Sequence, residues 1–158
     1  MKKILFAASE AVPFMKTGGL ADVTGSLPKY FDKKNYDVRV ILPKYVCMEE
    51  RWKGQLHFLC HFYVNLSWRK QYVGIFETTY DGITYYLVDN EFYFAGNAPY
   101  NNIYEDVEKF AFFSKAVLEA LPYLDFCPDI IHCHDWQTGL LPVFLRTLYG
   151  DEEYYTGI

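Results

Sequence analysis

Short apolar runs of the kind that form buried strands recur along the chain. A run that is apolar throughout, rather than at alternate positions, is typical of a strand covered on both faces of a parallel sheet. The run at 4–8 is of this kind, and the runs at 38–42 and 129–134, which include polar residues, also predict strands. Because a helical segment separates the first two runs, we expect them to pair in parallel through a right-handed crossover.

Three segments have the period of about 3.6 residues that indicates a helix with one apolar face. They cover residues 20–31, 107–121 and 138–149. Pro28 lies inside the first segment and is expected to kink the helix or to divide it. Asn102 followed by Glu105 predicts a capping box for the second helix, and Thr138 is the predicted N-cap of the third.

The middle of the chain is rich in Phe, Tyr, Val and Ile and predicts strands at 56–66, 71–79 and 83–88. Asp81-Gly82 between the last two is a strong hairpin signal. We interpret this region as an antiparallel insertion whose final strand can rejoin the main sheet. The predicted fold class is therefore α/β, with a Rossmann-like, mainly parallel sheet, helices on both faces and an antiparallel β insertion.

Composition and charge exclude several classes of function. The 158 residues suit a single domain, and a net charge of −5 without a basic stripe argues against nucleic acid as a partner. The four cysteines form no Cys-x-x-Cys pair and fit no zinc site, which favours free thiols in a reducing compartment. Glu10 interrupts the first apolar run too early for a signal peptide, and no stretch is long enough to span a membrane. We therefore expect a cytoplasmic protein with no membrane partner.

Three loops run from a predicted strand into a predicted helix, and the unusual residues of the chain concentrate in them. They cover residues 9–19, 91–102 and 135–137. Ligands of open parallel sheets bind outside the carboxyl ends of the strands. The sequence therefore predicts a binding site at the sheet edge where these loops meet.

The first loop has features of a phosphate site. Gly18 and Gly19 precede a helix whose free N–H groups can bind an anion, and Lys16 adds a positive charge. An ordinary turn with an exposed lysine fits these residue types equally well. Neither the Gly-x-Gly-x-x-Gly fingerprint of nicotinamide oxidoreductases nor a P-loop is present.

The other two loops carry polar groups that suit a sugar. His132 and His134 should share one face of the last strand. Together with Asp135 they could suggest a metal site, but a third well-placed ligand is missing. We favour polar residues lining a sugar pocket, with His132 a satisfied interior histidine. In the middle loop, Tyr100 and the amides of Asn97, Asn101 and Asn102 could bind sugar hydroxyls, although a turn-rich surface loop would look the same.

In their order along the chain, these motifs resemble the starch and glycogen synthase family. Lys16-Thr17-Gly18-Gly19-Leu20-Ala21-Asp22-Val23 is similar to the Lys-x-Gly-Gly-Leu motif of that family. The other matching segments are Leu27-Pro28-Lys29, Val38-Arg39-Val40-Ile41-Leu42-Pro43, Pro99-Tyr100, the run from Glu108 to Ser114, and His132-x-His134-Asp135-Trp136.

The resemblance implies a GT-B glycosyltransferase, in which two Rossmann-like domains face each other across a cleft. Residues 1–158 would be a truncated portion of the N-terminal domain, without the second GT-B domain. The implied reaction transfers glucose from ADP-glucose to the non-reducing end of an α-1,4-glucan, retains configuration and requires neither a metal nor a cofactor. Much of the implied nucleotide site belongs to the second domain, so we expect the fragment to be inactive alone.

The resemblance also implies roles for individual residues. Lys16, Gly18, Gly19 and Asp22 would bind substrate. The implied catalytic residues are Tyr100, His134 and Asp135. Two alternatives stay open, namely a non-catalytic glucan-binding module and another GT-B glucosyltransferase that uses UDP-glucose.

Overall fold

A computed structural model describes residues 1–158 and contains one six-stranded sheet. The strands are β1 (Lys2–Ala7), β2 (Tyr36–Pro43), β3 (His57–Leu66), β4 (Arg69–Tyr80), β5 (Ile83–Asp89) and β6 (Ile130–Cys133). Their spatial order is β3-β4-β5-β2-β1-β6. The strands β5, β2, β1 and β6 are parallel, and β3 and β4 add to them in antiparallel fashion. The predicted Rossmann-like sheet with an antiparallel insertion is confirmed, and β5 is the strand that rejoins the parallel part.

Four α-helices cover the sheet. They are α1 (Gly19–Ser26), α2 (Glu50–Lys53), α3 (Ile103–Ala120) and α4 (Leu140–Thr147). Pro28 divides the first predicted helix rather than kinking it, because α1 ends at Ser26 and a 3-10 turn covers Leu27–Tyr30. No pattern predicted α2, because four residues are too few to show a period. None of the helices combines the length and the apolar character that crossing a membrane requires.

Both faces of the sheet are buried, which explains the continuous apolar runs. Leu5 and Ala7 of β1 belong to a core cluster of 26 buried residues on the face that α3 and α4 cover. Ile4 and Phe6 point the other way, into a second cluster of 12 buried residues. Alternate residues of one strand thus enter two separate cores.

Two predicted helix caps have different outcomes. The side chain of Asn102 accepts hydrogen bonds from the backbone of Tyr104 and Glu105, both at 3.2 Å, which confirms it as the cap of α3. The reciprocal half of the predicted capping box is wrong, because the Glu105 carboxylate accepts from the side chain of Asn101 instead. The prediction that Thr138 caps the last helix is wrong. Thr138 ends a 3-10 turn, its hydroxyl donates back to the carbonyl of His134 at 2.9 Å, and Gly139 precedes α4. The helical geometry begins earlier because Asp135 caps that turn instead.

Candidate active site at the carboxyl edge of the sheet

The three predicted loops follow the carboxyl ends of β1, β5 and β6 and therefore open on one edge of the sheet. Glu10 organises the first of them. This carboxylate is only 2% exposed, and its Oε2 accepts hydrogen bonds from the backbone nitrogen and the hydroxyl of Thr17, at 2.8 and 2.6 Å. Charge-assisted bonds to a buried carboxylate are short and strong. They fold the loop back on itself and fix the segment that carries Lys16.

Lys16 lies beside the first turn of α1, where it binds Asp22. Its Nζ donates to the two carboxylate oxygens of Asp22 at 2.7 and 2.8 Å, and the two side chains are 52% and 54% exposed. An ion pair so exposed contributes at most ~1 kcal/mol. An incoming anion can therefore compete for the ammonium group of Lys16 at little cost in stability.

The two glycines of this loop are not explained by internal packing. Gly18 precedes α1 in extended geometry, with φ −156° and ψ −163°, and Gly19 begins the helix. A Cβ atom on Gly18 would meet nothing closer than Glu10 Oε1 at 4.0 Å, and one on Gly19 would meet nothing within 4 Å. The space beside both residues faces outward, so their role in leaving room for a ligand stays a prediction.

Tyr100 joins the middle loop to the first. Its hydroxyl shares a hydrogen bond of 2.7 Å with the hydroxyl of Ser9, whose carbonyl accepts a further bond of 2.7 Å from Tyr45. Burial raises the pKa of Tyr100 above its ordinary value of 10, the bond to Ser9 lowers it, and the charges of Glu10 and Asp135 raise it further. At neutral pH Tyr100 is therefore a protonated phenol within electrostatic reach of residues from both other loops.

Asp135 in the third loop has a strained backbone. Its φ of 64° and ψ of −178° fall in a region that is almost restricted to glycine. The carboxylate of Asp135 accepts a bond of 2.7 Å from the backbone of Trp136. The ring of Trp136 packs edge-on against the ring of Phe110, with 5.5 Å between the ring centroids. The ring of Tyr100 also packs beside Phe110, at 5.9 Å. Phe110 of α3 thus supports the middle and last loops together.

The two histidines share one face of β6, as predicted, but their surroundings differ. Their rings stack at 4.2 Å, and each contacts Phe6. His134 is buried, its Nε2 has no hydrogen-bond partner, and burial, followed by the charge of His132, lowers its pKa from 6.5 to about 4. His132 is exposed, so its prediction as an interior histidine is wrong. The reason is that β6 is an edge strand whose outer side no neighbouring strand covers.

The site contains polar residues that the sequence reasoning did not single out. Glu10 and Thr17 hold the first loop, Ser9 binds Tyr100, and the buried Oε1 of Gln137 has no partner. Position was the available signal, because each of these residues follows a buried apolar run at its carboxyl end. No three His, Cys, Asp or Glu side chains come together in a metal-binding arrangement.

The structure thus places Lys16, Gly18, Gly19, Asp22, Tyr100, His134 and Asp135 in loops or first helical turns at one edge of the sheet. A cavity of about 500 Å³ lies on the other side of the middle loop, with Arg69, Phe92, Asn101 and Glu108 among its lining residues. Of the residues that the sequence connects with sugar binding, only Asn101 lines that cavity, and the seven residues just named do not. Those seven lie along the edge itself, next to the cavity.

A parallel α/β sheet with its polar loops at the carboxyl edge is the architecture of many nucleotide and sugar-nucleotide enzymes. Residues 3–158 match the family model described as the starch synthase catalytic domain, and the chain belongs to that family. The resemblance inferred from the motifs is confirmed.

Two curated relatives are similar to the whole of this chain but are much longer than it. The chain is 66% identical over 158 residues to a protein named glycogen synthase from Lachnoclostridium phytofermentans, and 61% identical over the same length to one from Lachnospira eligens. Each match covers 100% of this chain and 33% of the relative. The chain therefore spans about a third of the length of the curated relatives that it matches.

A solved structure supports the fold assignment. The catalytic domain of Starch Synthase IV from Arabidopsis thaliana, bound to ADP and acarbose, superposes with a TM-score of 0.81 at 30% sequence identity. The match covers 94% of this chain and 31% of the plant chain. The predicted fold class, a Rossmann-like sheet of the GT-B type, agrees with this neighbour.

Proposed function

We propose that this chain provides one side of the active site of a glycogen synthase, which transfers glucose from ADP-glucose to the non-reducing end of an α-1,4-glucan. The relatives named glycogen synthase and the plant domain bound to ADP and acarbose support this activity. The proposal depends on one observation above all. Lys16, Tyr100 and Asp135, from three separate loops, lie at one edge of the sheet, which is where parallel sheets bind such ligands.

Lys16 would act on the diphosphate of the donor. When the bond between the glucose C1 and the diphosphate oxygen breaks, negative charge grows on the departing ADP. An ammonium group held beside the positive end of α1 stabilises that charge. The pair with Asp22 keeps the ammonium in place, and because both side chains are about half exposed the diphosphate can displace the carboxylate.

Tyr100, His134 and Asp135 would hold the sugar. Tyr100 is protonated at neutral pH and has a hydroxyl that can donate a bond. His134 is neutral at that pH because its pKa is lowered to about 4, so it brings no charge to the site. Its Nε2 is buried and unpartnered, and would bind a sugar hydroxyl once the loop around it moves. One oxygen of the Asp135 carboxylate would accept a hydrogen bond from a sugar hydroxyl. The other oxygen, Oδ1, would keep the hydrogen bond from the backbone nitrogen of Trp136.

The remainder of the active site would come from a second GT-B domain, as the family resemblance implies. The length of the relatives, about three times that of this chain, leaves room for such a domain. Inactivity of residues 1–158 alone and a cytoplasmic location are parts of the same proposal.

A chimera tests the proposed activity. The chain replaces the segment that it matches in the 66% identical relative from Lachnoclostridium phytofermentans, and the product receives labelled ADP-glucose and a maltooligosaccharide. We expect label to enter the oligosaccharide and Lys16→Ala to abolish most of that incorporation. A chimera that folds and binds glucan but transfers nothing would favour the non-catalytic module. A preference for UDP-glucose would favour the alternative transferase.

A further inference from the structure

An ion pair inside α3 is buried far more deeply than any other in the chain. Lys109 Nζ lies 2.9 Å from Asp106 Oδ1, one turn away on the same helix face, and the two side chains are only 3% and 7% exposed. Removing two charges from water is costly, and a buried pair of this kind often adds no more stability than two apolar residues of the same size. Its presence calls for an explanation other than stability.

Both members of the pair bind the middle loop, on either side of Tyr100. Lys109 Nζ donates to the carbonyl of Pro99 at 2.8 Å. The two carboxylate oxygens of Asp106 accept from the backbone nitrogen of Asn101, each at 3.1 Å. The residue before Tyr100 and the residue after it are therefore each fixed to α3 by a charged group.

These contacts leave the ring of Tyr100 little freedom. Its backbone is held at two points, its ring packs beside Phe110, and its hydroxyl reaches Ser9. A loop of this composition would otherwise be mobile, because turn-rich segments with few apolar contacts open easily. The ion pair thus converts a surface loop into a rigid support for one side chain.

We propose that Lys109 and Asp106 are positioning residues for Tyr100, and that they set where its phenol group meets the glucosyl or acceptor sugar. The consequence for the reaction rests on the glycogen synthase activity proposed above. The consequence for the loop does not, and the two can be measured separately.

Backbone hydrogen exchange tests the positioning directly. In the 158-residue chain, Lys109→Met should raise the exchange rate of the Asn101 amide about tenfold or more, because Asp106 loses the partner that orients it. Lys115→Met is the matched control. Lys115 is on the same helix and also donates to a backbone carbonyl, that of Asn65 at 2.6 Å, far along the chain from Tyr100. Equal exchange at Asn101 in the two variants would overturn the proposal.

The single variant leaves the buried carboxylate of Asp106 without a counter-ion and can unfold the chain. The double variant Asp106→Asn/Lys109→Met removes both charges and keeps a carbonyl oxygen that can accept from Asn101. It should fold, yet lack the bond to Pro99. Faster exchange at Tyr100 and Asn101 in this folded variant supports the proposal. Unchanged exchange there contradicts it.

A double-mutant cycle in the chimera tests the effect on the reaction. Lys109→Met should lower kcat by roughly tenfold to a hundredfold with a smaller change in KM. In a Tyr100→Ala background the same substitution should lower kcat less than about twofold, because its target is gone. Equal losses in both backgrounds would mean a general structural role and would refute positioning through Tyr100. If the unsubstituted chimera transfers no glucose, the proposed function fails, and the exchange measurements alone decide the role of the ion pair.

Discussion

The two ends of the parallel sheet use their polar residues in opposite ways. At the amino end, charges are matched within the chain. Asp129 accepts from the backbone of Lys3 at 2.7 Å and from Lys2 at 3.3 Å, and these bonds lower the pKa of Asp129. Arg39 binds Asp37 and Tyr86 and stacks on Phe126.

At the carboxyl end, several polar features have no internal explanation. His134 Nε2 and Gln137 Oε1 are buried without a partner, and Asp135 keeps a backbone conformation suited to glycine. Unpaired buried groups and local strain reduce stability, and they persist mainly where a function needs them. Buried groups without a partner also occur at Trp52, Tyr85 and Ser114, so the contrast depends on their combination with the strained backbone of Asp135. It supports the proposal that the carboxyl end meets a ligand.

The largest expected effect is on activity, and it appears when two ion-paired lysines, one at each end of the sheet, are substituted in turn. In the chimera, Lys16→Ala should lower kcat/KM for ADP-glucose about 10²–10³-fold, or ~3–4 kcal/mol. The substitution removes the positive charge that stabilises the departing diphosphate. Its melting temperature should fall by no more than about 2 °C, since the pair with Asp22 is exposed.

Lys29→Ala is the matched control for that variant. Lys29 pairs with Asp81 at 2.6 Å at the amino end, but its side chain is 34% exposed and its ammonium group lies over the ring of Tyr80. Lys29→Ala should therefore produce a thermal shift at least as large as that of Lys16→Ala and leave kcat/KM unchanged. Equal losses of activity in the two variants would contradict the proposal that only the carboxyl end of the sheet binds the ligand.

The pH dependence of stability should reveal the burial of His134. Its pKa falls from 6.5 in the unfolded chain to about 4 in the folded one, so the unfolded state binds the proton first. Stability is therefore complete above about pH 6.5 and decreases as the pH falls toward 4, by up to ~3 kcal/mol. Denaturant unfolding at several pH values should show this decrease in the wild type. The decrease should be smaller in His134→Gln and unaltered in His57→Gln, which changes an exposed histidine.

Substitution of Arg39 should lower stability and leave activity nearly unchanged, which is the reverse of what we expect for Lys16. Arg39→Met removes the bonds to Asp37 and Tyr86 and the guanidinium stacked on Phe126, and should cost ~2 kcal/mol of unfolding free energy. Denaturant titration measures that loss. In the chimera, KM for ADP-glucose should stay within about twofold of the unsubstituted value at a temperature where both are folded. A large rise in KM would show that the amino end also serves the ligand.

The smallest effect should be a gain in stability at the carboxyl end. Asp135→Gly relieves a strained backbone and should stabilise the chain by ~1 kcal/mol, after the small loss of the cap on Trp136. Asp135→Ala keeps the strain and removes the cap, so it should destabilise by a similar amount. Both variants should lose transfer activity in the chimera. If Asp135→Gly destabilises the chain instead, the strain has been overestimated.

Sequence patterns predicted the fold well because both faces of the sheet are covered. The run at 4–8 favoured a doubly buried strand, and the turn Asp81-Gly82 marked the hairpin between β4 and β5. Edges and caps were predicted less well. His132 was misplaced because the period of a strand does not reveal whether the strand is at the sheet edge, and Thr138 because two capping residues competed for one turn.

The candidate site was predictable as a location but not as a set of contacts. The loops after β1, β5 and β6 had to meet at one edge, which follows from parallel pairing alone. The bond of Glu10 to Thr17 and the attachment of Asp106 to Asn101 depend on where loop backbones pass, which no period encodes. Those two contacts shape single loops, whereas the bond between Ser9 and Tyr100 joins the first loop to the middle one across 91 positions of the chain.

Hydrogen exchange of the chimera with and without ADP-glucose tests most directly which end of the sheet meets the ligand. The donor should slow exchange in residues 9–22, 97–102 and 134–139, and leave residues 28–37, 80–84 and 125–130 unchanged. Slower exchange confined to the second group, in a chimera that transfers glucose, would contradict the assignment of the active site to the carboxyl edge.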